Sequence, residues 1–475
     1  MEMILPEDVS YIINKLEEAG YEAYAVGGCV RDTVLGRKPL DWDITTSAKP
    51  PFIKSCFKKT IDTGIQHGTV TVMLKDIGYE VTTYRIDGEY EDGRHPKSVE
   101  FTNNLSLDLE RRDFTINAMA YNDSTGFVDE FGGMQDLKYG IIRCVGDAYS
   151  RFNEDALRML RAVRFSGQLG FNIEENTKQA IKKMAKNLKN TSAERIRTEL
   201  SKLLVSDNPG KIREAYKMGM TKVFLPEFDR MMEKLQHNPH HIYTVGEHCI
   251  RSVGIMDLFF SPDHQIDGGM YSYVQADVIK KATVFTDGID KKHHLILCLV
   301  MLFHDIAKPD VMVIGDDGIG HFHGHPQKGE KMTAAILKRL SFDNETISIA
   351  RRLIKYHDYR ILPEPYAVRK AAAKIGNDIM PMFFLVQYAD ILAQNPVTFA
   401  NKLSNLDSVA EVYKKIIENN APLCIKDLAV NGNDLIALGI EKGPKIGQIL
   451  NRLLDIVLEN PEENKKELLL SYVDK

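Results

Sequence analysis

The periodicity of this 475-residue chain changes once, near Glu154, and that change limits the folds open to it. Before it, short β-rich runs alternate with helical stretches. Residues 9–19 have the apolar spacing of an amphipathic helix, and Ala23–Val26 is a short apolar strand that runs into Gly27-Gly28. Thr69–Leu74 alternates, with Val70, Val72 and Leu74 on one face; residues 80–84 form a second β-rich run, and 75–78 join the two as a turn. After Glu154 the pattern is almost wholly helical. Thr191 with Glu194 forms a capping box ahead of a helix over Ala193–Leu204, and SDNPG at 206–210 ends that helix. The class expected is therefore α+β: a mixed sheet with helices, followed by all-helical regions. A chain of this length exceeds one compact core, and the shifts in pattern place domains at 1–145, 146–230, 231–395 and 396–475.

With 44% hydrophobic and 27% charged residues, the composition is that of an ordinary soluble globular protein. The opening MEMILPEDVSYIINKLEEAG lacks a basic segment followed by an apolar run, so no signal peptide is expected. The longest apolar stretch, around 295–303, falls far short of a membrane span. Six scattered cysteines with no CxxC pair argue against a zinc ribbon or disulfide framework and fit a reducing cytoplasm. The net charge of −5 means that any nucleic-acid contact must come from local basic surface. The clearest such run comprises Lys178, Lys182, Lys183, Lys186, Lys189, Arg195, Arg197 and Lys202; its plain alternative is a solvated helix face.

Four patterns in the first third carry chemistry. In the first, Gly27-Gly28-Cys29-Val30-Arg31-Asp32 is followed by Leu35-Gly36 and Asp41-Trp42-Asp43. Paired glycines after a strand let the backbone approach an anion, and the helix beyond offers free N–H groups. Asp41 and Asp43, two apart on a strand, share a face and can hold Mg2+ ions that bridge a triphosphate and an attacking hydroxyl. In the second, Arg111-Arg112-Asp113-Phe114-Thr115-Ile116-Asn117-Ala118, adjacent arginines suit triphosphate oxygens and the carboxylate suits a ribose hydroxyl. The third, Asp129-Glu130-Phe131-Gly132-Gly133, is a glycine hinge or a plain turn. The fourth, EDALRMLRAVR at 154–164, places Asp155, Arg158 and Arg161 at successive i+3 steps on one helix face. There an acceptor beside a planar donor fork can satisfy the edge of a base; the alternative is exposed salt bridges.

These motifs, together with SAERIRTEL at 192–200, resemble the class II tRNA nucleotidyltransferase and bacterial poly(A) polymerase family over about residues 25–204. The resemblance implies a polymerase-β-like palm, a helical neck, and helical body and tail regions that grip tRNA. It implies that Gly28 and Arg31 contact the incoming nucleotide and that Asp41 and Asp43 bind catalytic Mg2+. Arg112 would contact the nucleotide, with Arg111 and Asp113 nearby in triphosphate and ribose recognition. Asp155 and Arg158 would read the base edge of CTP or ATP, supported by Arg161 and Arg164. Family members that add only CC lack a flexible loop after the second strand pair. The run DGEYEDGR at 87–94 supplies such a loop here, which favours complete CCA addition or terminal A addition.

The second half holds His248, His304-Asp305 and Asp390 in the order H…HD…D, with His321, His325 and His357-Asp358 as further ligands for a second metal. Imidazole with carboxylate suits Mn2+, Ni2+ or Fe2+, with Mg2+ possible. This stretch resembles the HD phosphohydrolase superfamily over about residues 247–390, which implies phosphatase or phosphodiesterase activity on nucleotides or RNA ends. Where many such proteins read GHE, this chain reads Gly324-His325-Pro326, which bears on the second metal. The alternative is a helical body that keeps its ligands without catalysis. In the tail, glycine turns at 439–447 before a helix could present N–H groups and lysines to an RNA phosphate, or simply cap a helix hairpin.

The expected activity is template-independent, Mg2+-dependent addition of CCA to tRNA from CTP and ATP in the cytoplasm. No membrane association and no obligatory protein partner are expected. The alternatives are a poly(A) polymerase, or an HD phosphohydrolase with an RNA-binding N-terminal region.

Overall fold

The structure, a computed structural model, describes residues 3–88, 99–239, 241–262, 271, 273–397 and 399–473. It divides into two compact units, Met1–Phe224 and Leu225–Lys475. The first is mixed α and β and the second is almost entirely helical; the change in periodicity near Glu154 falls inside the first. Among the described residues no helix is long and apolar enough to cross a membrane.

In the first unit, α1 (Glu7–Glu18) buries Val9, Ile12, Ile13 and Leu16 along one stripe, with Glu7 and Asp8 in its first turn where negative charge suits the helix dipole. β1 (Ala23–Val26) is buried at every position and leads at once into α2 (Gly28–Val34). There follow β2 (Asp43–Thr46), α3 (Pro50–Cys56), β3 (Thr60–Gly64), β4 (Thr69–Leu74) and β5 (Ile77–Thr83). Beyond them lie β6 (Arg85–Asp87), β7 (Val99–Phe101), α4 (Leu105–Glu110), β8 (Ala120–Asn122) and β9 (Gly126–Val128). Seven strands form one sheet in the order β3-β4-β5-β2-β1-β8-β9. β2 is antiparallel to β1 and parallel to β5, which places Asp43 beside Glu80. Tyr24, Val26, Tyr84, Leu105, Leu109 and Val145 pack together as the core behind the sheet's centre.

Several local expectations change. The turn between β4 and β5 is Lys75-Asp76 alone, with φ of 47° and 67°, and Leu74 pairs directly with Ile77. Two positive φ values give the tight turn whose twist matches its strands, so β5 starts three residues before Glu80. β2 begins at Asp43, leaving Asp41 just ahead of the strand rather than within it. Of the expected loop at 87–94, residues 89–94 lie outside the described residues; the flanking β6 and β7 pair antiparallel.

The rest of the unit comprises α5 (Gly133–Tyr139), α6 (Ala148–Glu154), α7 (Leu157–Leu169), α8 (Glu175–Met184), α9 (Ala193–Leu204), α10 (Ile212–Lys217) and α11 (Thr221–Phe224), with a short parallel pair, β10 (Ile141–Ile142) and β11 (Asn172–Ile173). The DEFGG run caps α5: the Asp129 carboxylate accepts from the Gly133 and Met134 amides at 2.7 and 2.9 Å. A Cβ at Gly133 would lie 2.4 Å from the Thr115 carbonyl oxygen, so this is a close-packed turn rather than a hinge. The N-cap of α9 is Ser192, without a side-chain cap bond, so Thr191 and Glu194 do not form a capping box.

The second unit runs from α12 (Pro226–Glu233) through α13 (Val245–Phe260), α14 (Ala276–Thr283), α15 (Lys291–Phe303) and α16 (Lys308–Val311). It continues with α17 (His325–Arg339), α18 (Asn344–Tyr356), α19 (Pro365–Ile375), α20 (Met380–Leu392) and α21 (Ala400–Glu418), and ends in α22 (Gly432–Ala437), α23 (Pro444–Glu459) and α24 (Lys466–Ser471). α13, α15 and α20 pack on one another and are apolar nearly all round, the composition of central helices. Every residue of α15 from Ile296 to Phe303 is buried. In the tail, Asn431 and Asp434 form a reciprocal capping box on α22, and Gly443 precedes α23, which fits the capped-hairpin alternative.

Candidate functional site

β1 delivers the chain to Gly27 in a left-handed conformation, φ +81°, where a Cβ would lie 2.9 Å from Nη1 of Arg112. The positive φ is what calls for glycine here. The arginine that fills this space carries a buried Nε with no hydrogen-bond partner among the described residues, and its charge acts on Asp43. Surrounding protein and the neighbouring Asp41 push the Asp43 carboxyl up, with Arg112 opposing. Glu80 is raised too, by its surroundings and then by Asp43 and Asp41. Asp43 pairs with Glu80 across β2 and β5, with Asp41 just ahead of the strand, and their charges act on one another; a hard divalent cation would relieve that repulsion with all-oxygen donors.

Arg111 and Arg112 are held by one acid that the sequence reading missed. Asp108 on α4 is fully buried, accepts from Arg111 Nε and Nη2 at 2.9 and 2.6 Å and from Thr45 Oγ1 at 3.0 Å, and pairs with Arg112 Nη2 at 3.4 Å. Burial pushes its carboxyl up, but the two arginines outweigh that and hold it below the ordinary range. Behind them runs a second line. Arg31 Nη1 donates to Asn117 Oδ1 at 2.6 Å, Asn117 Nδ2 to Asp113 Oδ1 at 3.0 Å, and Arg161 Nε to Asp113 Oδ2 at 2.7 Å. The guanidiniums of Arg31 and Arg161 both lie over the Phe165 ring, at 5.0 and 5.4 Å.

Asp113 gives this line a pH dependence. Burial raises its carboxyl, but Arg161 and the Asn117 hydrogen bond prevail, so its folded value lies below the ordinary 3.8. The sign follows: its stabilisation is complete above the unfolded value and is lost as the pH falls from there through the lower folded value. Between about pH 5 and pH 3 the urea midpoint of the wild type should fall more steeply than that of Asp113→Asn. Parallel slopes would remove this role.

Asp155 does not share a helix face with Arg158 and Arg161. It is the C-cap of α6, extended at φ −147°, and α7 starts two residues later. Its carboxylate accepts from the Leu157 amide at 3.0 Å and from both Nη atoms of Arg195 at 3.1 and 2.6 Å. Arg158 pairs with Glu154 and donates to the Arg151 and Arg111 carbonyls, both at 3.2 Å. Arg164 is buried and pairs with Glu199 at 2.6 Å, and so stands in the packing between α7 and α9. Of the basic run, Lys182, Lys183, Lys186, Lys189 and Lys202 are exposed.

The second unit assembles another cluster from five helix segments. His248 of α13, His304 at the end of α15 and Asp390 of α20 form one group, and Asp305 with His325 and His357 another. His248 Nε2 lies 3.0 Å from Asp390 Oδ1 and 3.1 Å from His304 Nε2; His325 Nε2 lies 3.2 Å from His357 Nε2. Asp305 joins the groups, its Oδ2 3.4 Å from His304 Nε2 and its Oδ1 3.4 Å from His325 Nε2. Each histidine turns Nδ1 to a backbone carbonyl: His248 to Ala393 at 3.3 Å, His304 to Met301 at 2.9 Å, His325 to Phe322 at 2.8 Å, His357 to Ile354 at 2.7 Å. A carbonyl there requires the proton on Nδ1, which leaves four Nε2 lone pairs aimed inward, the arrangement of metal-ligating histidines. Pro326 in place of the usual acid does not keep His325 from this cluster. His321 is outside it, stacked on His323 with ring centroids 5.9 Å apart. His241, which the sequence reading did not single out, packs edge-on to His248 at 4.9 Å, its ring pushed down to about 2 by burial and by Lys308.

Three family models match the chain: a Poly A polymerase head domain at residues 23–143, a Probable RNA and SrmB-binding site of polymerase A at 170–232, and a tRNA nucleotidyltransferase domain 2 at 328–473. A CCA-adding enzyme of Lactobacillus helveticus is 34% identical over 466 residues, covering 98% of this chain and 95% of that one. This chain belongs to the CCA-adding enzyme family. A CCA-adding enzyme of Leuconostoc mesenteroides is 47% identical over 244 residues, a stretch that spans 50% of this chain and 61% of that relative's length. Among solved structures, the Bacillus stearothermophilus CCA-adding enzyme in complex with CTP matches with a TM-score of 0.65 and 29% identity over 98% of both chains. The Thermotoga maritima CCA-adding enzyme complexed with tRNA shares the fold at a TM-score of 0.57 and 22% identity, covering 99% of this chain and 96% of that one. CCA-adding enzymes are tRNA nucleotidyltransferases and work with divalent metal ions.

Within a CCA-adding enzyme, Glu80 and Asp108 are the first-unit residues that sequence reading passed over, and Arg195, read as part of a basic run, pairs with Asp155. A faint trace of Asp108 existed, since it precedes Arg111 and Arg112 by three and four residues on a helical run.

Proposed function

We propose that this chain completes tRNA 3′ ends by adding C, C and A from CTP and ATP, with Mg2+ held by Asp41, Asp43 and Glu80. The observation that carries the reading is the pairing of Asp43 with Glu80 across β2 and β5, with Asp41 just ahead of the strand and the charge of Arg112 acting on Asp43, in a member of the CCA-adding family. The RNA 3′-hydroxyl attacks the α-phosphate: a new O–P bond forms, the bond to the bridging oxygen breaks, and pyrophosphate leaves as the hydroxyl proton is lost. A divalent ion bound there supplies positive charge to the triphosphate and makes the hydroxyl more acidic. Arg112 and Arg111, fixed by Asp108, bind triphosphate oxygens; Gly28 and Arg31 flank the nucleotide, and Asp113 orients Arg31 and Arg161. Asp155 and Arg158 read the base edge, while Arg164 holds α7 in place. In this division the palm occupies 1–145, the nucleotide-selecting neck 146–230, the body 231–395 and the tRNA-binding tail 396–475, in the cytoplasm. With tRNA lacking its CCA end, Mg2+, CTP and ATP, the expected products are ordered C, C, A additions. Long A tails made on generic RNA with ATP alone would instead identify a poly(A) polymerase.

The inward-facing Nε2 atoms favour a second reading, a metal centre for phosphate-ester hydrolysis in the second unit. Mixed imidazole and carboxylate suits Mn2+, Ni2+ or Fe2+. His248, His304 and Asp390 would hold one ion, His325 and His357 another, with Asp305 between them. Such ions supply charge to a phosphate oxygen. Water adds to phosphorus and the ester P–O bond breaks, giving an alcohol and phosphate. Equilibrium dialysis should show Mn2+ bound to the wild type beyond what Asp43→Ala removes, and lost from His304→Ala and Asp305→Ala while CCA addition continues. Equal metal content in these variants would eliminate the centre.

A further inference from the structure

Asp155 stands at the break between α6 and α7 and is held from two sides. Its Oδ1 accepts from the Leu157 amide at 3.0 Å and from Arg195 Nη1 at 3.1 Å, and its Oδ2 accepts from Arg195 Nη2 at 2.6 Å. A carboxylate offers about four acceptor positions, two on each oxygen. Among the described residues these three bonds fill both positions on Oδ1 and one on Oδ2, which leaves a single position on Oδ2. The two side chains, Arg195 at 23% exposure and Asp155 at 14%, meet as a bidentate fork, unlike the solvated ion pairs that contribute little.

Arg195 is the third residue of α9, in the first turn, where the helix dipole disfavours a cation. One turn further on, the same face carries Glu199, whose pair with Arg164 already ties α9 to α7. What Arg195 adds to that tie is the aim of one carboxylate. Cytosine and adenine carry an amino group at the place on the base edge where uracil and guanine carry a carbonyl. A carboxylate fixed with one acceptor position open, and with no hydrogen to donate, satisfies the amino group and repels the carbonyl. We propose that Arg195 is a positioning residue for base choice: its fork sets the Asp155 carboxylate so that CTP and ATP are accepted and UTP and GTP refused. This rests on the reading of Asp155 as a base-edge contact and deepens it. It also takes Arg195 out of the basic run as an RNA-phosphate contact, since its fork is committed to Asp155.

Single-nucleotide addition by the full chain tests it, with CTP against UTP on tRNA lacking its CCA end and ATP against GTP on tRNA ending in CC. In Arg195→Ala, the kcat/KM ratios CTP:UTP and ATP:GTP should fall at least about tenfold, the scale of one misaligned charge-assisted hydrogen bond. The affinity for tRNA and its salt dependence should stay at wild-type values, whereas losing a phosphate contact would weaken both. Arg195→Lys keeps the charge but not the fork, so it should recover only part of either ratio. The lysine variant also decides the matter if the alanine variant fails to fold. Asp155→Asn, whose amide can turn a donor toward a carbonyl, should relax both ratios too. Ratios within about twofold of wild type in the Arg195 variants, while Asp155→Asn moves them, would overturn the role of Arg195 alone. An equal fall for all four nucleotides would do the same, since it marks a merely structural tie. Ratios unmoved by Asp155→Asn would remove the base-edge reading, and the role of Arg195 with it.

Discussion

Asp43→Ala is expected to lower kcat/KM for nucleotide addition by about 10^3-fold or more, equivalent to about 4 kcal/mol of lost charge stabilisation, while tRNA affinity changes little. The expectation comes from where Asp43 sits. It opens β2, at the centre of the sheet, beside Glu80 and under the field of Arg112. Asp41→Ala should behave alike. Glu80→Gln should give a smaller loss, since it keeps the shape and one oxygen acceptor while removing charge. Single-turnover addition to tRNA with radiolabelled CTP, alongside a filter-binding isotherm, separates the two quantities. A variant at Asp43 with near-normal turnover would sink the assignment of the palm site.

Glu199→Ala should destabilise the first unit by about 3–5 kcal/mol. Its carboxylate, 6% exposed, lies 2.6 Å from Nε of Arg164, which is 8% exposed, so truncation strands a guanidinium between α7 and α9. In a unit of this size the melting temperature should fall by roughly 10 °C or more. Replacing both partners by apolar residues, Arg164→Met with Glu199→Leu, should recover most of the loss, because the stranded charge goes too. Differential scanning calorimetry of the two variants decides it, and equal losses would mean that packing rather than charge sets the cost. Because α7 also carries Arg158 and Arg161, Glu199→Ala should raise KM for CTP and ATP as well.

What could be read from the chain divides by distance along it. β1 running into paired glycines, the alternation of β4 and the arginine pair are short-range features, and the structure places them where local physics expects. Glu80 was invisible because its significance depends on a strand pairing made 37 positions from Asp43, which no local pattern encodes. Asp155 was misplaced because a helix period was extended through a break: α6 ends and α7 begins around it, and its partner Arg195 is 40 residues away. Thr191 and Glu194 fit a capping box by spacing, yet the helix starts one residue later than that box needs, at Ala193 after Ser192. In the second unit the order H…HD…D picked out His248, His304, Asp305 and Asp390, which the structure brings together although they are up to 142 positions apart.

The four carbonyl contacts of the ligand histidines have a consequence for how that cluster comes into being. His304, His325 and His357 are each oriented by the carbonyl three residues earlier in the chain, at Met301, Phe322 and Ile354. Those rings take their bearing from neighbouring backbone. His248 alone depends on a distant carbonyl, Ala393, 145 residues away. The aim of three rings is thus set within their own segments, and that of the fourth by the packing of segments far apart in the chain.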